Sequence, residues 1–235
     1  MKKAIIVLGF ISLLSCKNQK LDLSSININE MASVYLNKIK VVKAEVQKGF
    51  WKFEPNNMGG NLTLIDNGEI STSYTFLLSS EEEQINYLKY KLKPGSGGVI
   101  VENRNKIVFY RFEFEWKNTF EVLKNIKVKL GKPSGIIIDS IPADIKSVQI
   151  LQKYLPKDEY WFKKNEFGEK MFYYPIHYIW LVDNCIFHYT LIKTTDLIAN
   201  QLIFITIDAY KRQLIFGYHN PSKDPILSKY LNKDH

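Results

Sequence analysis

Residues 170–193, KMFYYPIHYIWLVDNCIFHYTLIK, constrain the fold more than any other stretch of this chain. Asp183-Asn184 tolerates the positive φ of a tight two-residue turn, so the flanking runs pair as an antiparallel hairpin. Val182 then faces Cys185, and Ile179 faces His188. Side chains two apart share a face. One face carries Tyr178, Trp180, Val182, Cys185, Phe187 and Tyr189; the other carries His177, Ile179, Leu181, Ile186, His188 and Thr190. Both faces are largely apolar. A hairpin of this kind must lie inside a sheet covered on both sides.

The same register makes His177 and His188 diagonal neighbours, about 7–8 Å apart at the backbone. Such a pair suits either the lining of a pocket or a core contact closed by a hydroxyl such as that of Thr190. A catalytic zinc takes three protein ligands, and the sequence has no HExxH or His-Cys cluster to supply the third. No metal and no catalytic residue is therefore assigned. The ligand-binding candidates are His177 and His188, with Trp161, Tyr178 and Trp180 as nearby aromatic surfaces. Tyr160, Phe162, Phe167, Phe172, Tyr173 and Tyr174 belong to the same aromatic run, which serves either stacking on a ligand or filling of a core.

The rest of the chain reads as mixed elements. A helix is expected from Asn29, with Ala32, Tyr35, Ile39, Val42 and Val46 on one face and Gly49 as its stop. NLTLIDNGEISTSYTF reads as two strands joined at Asp66-Asn67-Gly68. SEEEQINYLKYKLKPG reads as a helix capped by Ser80 and Glu83. GVIVENRNKIVFYRFEFEW is a second hairpin, with Val108, Tyr110, Phe112, Phe114 and Trp116 on one face and Arg111, Glu113 and Glu115 on the other. FEVLKNIKVKLGKP is a helix stopped by Gly131, GIIID a strand and ADIKSVQILQKYL a helix. EYWFKKN, LIFITI and QLIFGYH complete a strand-rich last third. The expected class is α+β: a mainly antiparallel sheet with several packed helices. Residues 29–220 form one domain, or two halves split near 95 or 133, and 221–235 form a polar tail.

Composition narrows the function. Of 32 basic residues only Arg104, Arg111 and Arg212 are arginine, whereas readers of phosphate and bases favour the arginine fork; nucleic acid is not an expected partner. The lysine groups at 89, 91 and 93 and at 124, 127, 129 and 132 suit a solvated surface or rest against an anionic membrane. GSGG after Pro94 follows a predicted helix and lacks the third glycine of a dinucleotide loop. LGKPSG is neither a P-loop nor a nucleophile elbow.

The first sixteen residues carry the strongest signal. Lys2 and Lys3 precede an apolar run from Ala4 to Leu14, too short to span a bilayer at roughly 20 residues and of the length of a secretory h-region. It ends in Leu13-Leu14-Ser15-Cys16, which resembles the lipobox of bacterial lipoproteins. That resemblance implies removal of residues 1–15, lipid on Cys16, and a polar tether over residues 16–28. Each buried methylene adds ~0.8 kcal/mol, so several acyl chains anchor durably. Lys17, in place of an inner-membrane retention aspartate, implies the outer membrane, and the lack of acidic residues in KNQK implies a periplasm-facing protein. Lipidation leaves Cys185 without a disulfide partner.

These readings converge on a membrane-anchored, non-enzymatic module that binds a ligand or an envelope protein, with no cofactor other than the covalent lipid on Cys16. Two alternatives stay open: an immunity lipoprotein that neutralises a toxin delivered to the periplasm, and an envelope hydrolase with its site near His177 and His188.

Overall fold

The computed structural model describes residues 21–54, 61–77, 85–93, 95 and 97–215. It corrects the expected class: the fold is largely β, with 54% strand against 20% helix. Twelve strands run in chain order as β1 (Leu21–Asp22), β2 (Val41–Glu54), β3 (Asn61–Leu77), β4 (Ile85–Tyr87), β5 (Tyr90–Lys91), β6 (Gly97–Asn103), β7 (Lys106–Phe112), β8 (Gly135–Pro142), β9 (Trp161–Lys164), β10 (Lys170–Val182), β11 (Cys185–Lys193) and β12 (Ile198–Thr206). The helices are α1 (Ser33–Leu36), α2 (Thr119–Leu130), α3 (Lys146–Tyr154) and α4 (Ile207–Lys211). Only α2 and α3 reach two turns.

One nine-stranded antiparallel sheet organises the molecule, in the order β2-β3-β6-β7-β12-β11-β10-β8, with β9 added to β10. The early and late parts of the chain meet inside it, where β7 pairs with β12. A small sheet, β1-β4-β5, sits apart from this path.

Two expected helices fail for a definable reason. Val42 and Val46 are four apart, a spacing that fits a helix turn but also fits alternation, because four is a multiple of two. Valine favours the pleated surface, and the segment becomes β2 rather than extending the four-residue α1. Gly49 is no helix stop. It holds φ +95 inside β2, where an added Cβ would lie 1.8 Å from the Ile65 carbonyl oxygen. The second expected helix is replaced, over its described part, by β4 and β5 about a turn in which Leu88 has φ +58. Its proposed Ser80–Glu83 cap lies outside the described residues. QLIFGYH is described only as far as Ile215 and adds no named strand there.

The DNG element is also corrected. Asp66-Asn67-Gly68 does not reverse the chain but lies within β3. Lys48 pairs with Ile70 and Phe50 with Ile65, so Asp66–Glu69 are extra on β3 opposite Gly49. Asp66 and Asn67 side chains accept from the Gly68 and Glu69 amides at 2.8 and 3.0 Å. Asx-turn chemistry is present, but its product is a bulge that bends the ribbon.

Around the β10–β11 hairpin both faces of the large sheet are covered, as its patterning required. The larger core gathers Tyr110, Phe112, Tyr178, Trp180, Tyr189 and Phe204 under α2 and α3. α2 buries Thr119, Val122, Leu123 and Ile126, a one-face helical spacing. Asn200 is buried here. Its Oδ1 accepts from the Phe114 amide at 2.9 Å, and its Nδ2 donates to the Thr119 hydroxyl at 2.7 Å. The smaller core holds Val101, Phe109, Ile179, Ile186, Ile203 and Ile205 beneath α4 and Leu214. Leu21 and Leu23, within the stretch read as tether, are buried in the larger core.

Several lysines read as surface charge have local work. Lys93 pairs with Glu113 at 3.0 Å. Lys127 pairs with Glu159 and lies 4.5 Å from the Tyr178 ring centroid. Lys129 donates to the Ser24 carbonyl at 2.6 Å. Glu113 and Glu115 take Lys93 and Lys117 as partners, not Arg111.

Candidate functional site

Asp183 and Asn184 take φ +50 and +60, and the turn they make sets the β10–β11 register as read: Val182 opposite Cys185, Ile179 opposite His188, His177 opposite Thr190. His177 and His188 meet. Their Nδ1 and Nε2 atoms are 2.9 Å apart, and the Thr190 hydroxyl lies 3.2 Å from each. A hydrogen bond of that length requires one facing nitrogen to donate and the other to accept, so the two rings cannot both present a proton across it. His188 is only 6% exposed. Burial, and secondarily the neighbouring His177, pull its pKa down to about 3, so it stays neutral at physiological pH. The triangle joins the two rings and the Thr190 hydroxyl through one donor–acceptor contact built on a neutral His188.

The other sequence candidates lie elsewhere. Tyr178 and Trp180 point into the larger core, on the sheet face opposite Ile179 and Ile186. The Tyr178 hydroxyl donates to Glu159 at 2.6 Å, and the Trp180 indole donates to the Gly131 carbonyl at 2.9 Å, pinning the end of α2 to β10. Trp161 stacks on Tyr173 at 5.5 Å on the outlying β9. These three do not join the histidines. Cys185 is buried and its thiol is pushed up to about 11, mainly by burial, which makes it a poor nucleophile. Cys16 lies outside the described residues.

His188, though not His177, shares a row with a residue to which the sequence reading gave no binding role. Cross-strand partners place Thr75, Val99, Arg111, Ile203, His188 and Ile179 side by side on one face. Arg111 and His188 are two strands apart, about 10 Å at the usual strand spacing. Arg111 borders a cleft of about 510 Å³. Val99, Val101, Phe109, Leu214 and Ile215 contribute apolar surface to it, Ser71, Ser73 and Thr75 contribute hydroxyls, and Trp51 and Leu64 come from the bent ribbon.

The bend is what makes the cleft. On either side of Gly49 the ribbon meets the segment after α4: the Trp51 amide donates to the Gln213 carbonyl at 3.0 Å, and the Gln47 side chain donates to the Leu214 carbonyl at 2.9 Å. Gln47 also accepts from the Trp51 indole at 2.6 Å, which fixes that ring. At the bulge, Glu69 takes ion pairs from Arg104, at 2.7 Å, and from Arg212. Arg212 reaches Asn103 at 3.0 Å and Asp208 at 2.8 Å. Sequence patterning set Arg111 on the charged face of its hairpin with Glu113 and Glu115. Its signal was there: it is the only charged side chain in the run IVFYRF, whose other members are all buried.

Among the described residues no group of three or more His, Cys, Asp or Glu is placed to share a metal ion, and no helix is long and apolar enough to cross a membrane. Compared with known proteins, the chain matches no family model, no curated protein and no solved structure.

Proposed function

We infer that this chain is a lipid-anchored bacterial envelope protein, held at the outer membrane facing the periplasm, whose domain binds rather than catalyses. Its placement rests on the lipobox ending at Cys16. The binding reading is carried by one observation: three separate parts of the chain, the bent β2–β3 ribbon, the β6–β7 hairpin and the segment after α4, converge on one cleft of about 510 Å³. That volume lies within the range of small-molecule sites, and the mixture of apolar walls with a few polar groups is their usual chemistry.

Two measurements test the reading. Cells fed an alkyne-bearing palmitate should label the wild-type chain and not Cys16→Ser; equal labelling of both removes the anchor. A photo-crosslinking amino acid in place of Leu64, in the cleft wall, should capture an adduct visible by mass spectrometry in intact envelopes. The same group in place of Val128, exposed on α2, should not. No adduct at 64, or the same adduct at both positions, removes the binding reading.

A further inference from the structure

We propose that the Arg111 cleft takes a carboxylate carried on an apolar body. The inference rests on the reading of the domain as a binding module and names the chemistry of its ligand. Arg111 stands in a row between Val99 and Ile203, on a sheet face whose neighbouring row, Val101, Phe109 and Ile205, is buried. Among the described residues its guanidinium has neither a hydrogen bond nor an ion pair. The other charged side chain in the cleft, Glu45, has a partner in Lys43 at 2.7 Å, so the cleft keeps one uncompensated positive charge.

A guanidinium offers parallel N–H donors that match the two oxygens of a carboxylate. Two strands away, about 10 Å across the sheet, Ser73 and Thr75 supply hydroxyls. Between them Val99 and Val101 present only apolar surface, and the Trp51 ring, held by Gln47, bounds the cleft from the ribbon side. A ligand with its charge at Arg111 and an aryl or short alkyl body against Val99, Val101 and Trp51 satisfies each of these groups. A cation finds only the already paired Glu45, and a multiply charged polar anion would leave the apolar walls uncovered.

The test uses the full-length chain in nanodiscs, with empty nanodiscs as the blank, titrated calorimetrically with 4-phenylbutanoate and with its neutral amide, 4-phenylbutanamide. The expected result is binding of the carboxylate about tenfold or more tighter than of the amide, since hydrogen bonds to a charged group are the strong ones. The preference should vanish in Arg111→Gln and survive in part in Arg111→Lys. Arg111 is exposed, so both variants should unfold at the wild-type temperature. Equal binding of acid and amide, a preference that persists in Arg111→Gln, or binding of neither probe overturns the proposal. The crosslink at position 64 is independent of charge: an adduct there alongside any of these outcomes leaves the module reading standing and removes only the carboxylate.

Discussion

Two stretches of this chain carry the same turn chemistry and do opposite things with it. Asp183-Asn184 reverses the backbone, and the β10–β11 hairpin that results is paired on both sides. Asp66-Asn67-Gly68 leaves β3 running in its original direction, and the extra residues bend it against Gly49 of β2. The difference lies in the available partners. At 183–184 two long apolar runs abut the turn and bury each other. At 66–68 the preceding strand has a better partner in β2, whose Gly49 admits the Ile65 carbonyl where any other residue would clash. A positive-φ sequence specifies a local kink; the strands competing for its flanks decide whether the kink is a reversal.

The comparison can be broken most sharply at Gly49. Gly49→Ala combines a left-handed φ with a backbone clash, and should cost about 3 kcal/mol or more in urea unfolding. It should also open the cleft, read as loss of the Trp51–Gln213 contact in hydrogen exchange, while the β10–β11 amides keep their relative protection. Equal loss of protection in both regions would mean that the bend and the hairpin fold as one unit.

Acid should separate the two the other way. His188 is held below its unfolded value of about 6.5, so the native state refuses a proton that the unfolded chain accepts. The stability is complete above about pH 6.5 and falls below it, at about 1.4 kcal/mol per pH unit, until about pH 3. Between pH 6.5 and 4.5 the loss should be about 2–3 kcal/mol, and His188→Gln should flatten that part of the profile. An unchanged slope in the variant would assign the acid sensitivity to other groups.

The smallest effects contrast the turns themselves. Gly68 has φ +76 and open space around its Cβ position, so Gly68→Ala should cost about 1 kcal/mol from backbone strain alone. Asn184→Gly should instead stabilise by a few tenths of a kcal/mol, because glycine fits the second position of this turn better. Chemical denaturation midpoints distinguish the two signs.

How much was legible follows the same division. The central hairpin could be read to the residue, because its two-residue turn fixes the register of the two long apolar runs beside it, and the His177–His188 contact came with it. The β2 segment could not, since Val42 and Val46 satisfy helix and strand equally and Gly49 serves either as a stop or as a bulge. Tyr178 and Trp180 were placed on the correct face, but that face is the larger core, where Glu159 and Gly131 occupy their polar atoms. The cleft was hidden for a different reason. Arg111 and Trp51 are 60 positions apart, and what brings them together is the bend, a feature sequence patterning mistook for a turn.

The bulge at Gly49 has a bearing on solubility as well. β2 is the last strand of the sheet, with an edge of 14 residues and side chains such as Val42 and Val46 exposed, and a long straight edge of that kind is a template for chain-to-chain pairing. Here the bulge interrupts it after Lys48, and Lys43, Glu45, Lys48 and Lys52 stud its length. The ladder also shifts between Val41 and Lys43, so a second chain laid against it finds no straight register longer than the six residues from Lys43 to Lys48, and meets charge at close intervals. The kink that shapes the cleft thus also acts as a gatekeeper against aggregation, and a substitution that straightened the ribbon would expose the protein to fibre-like assembly.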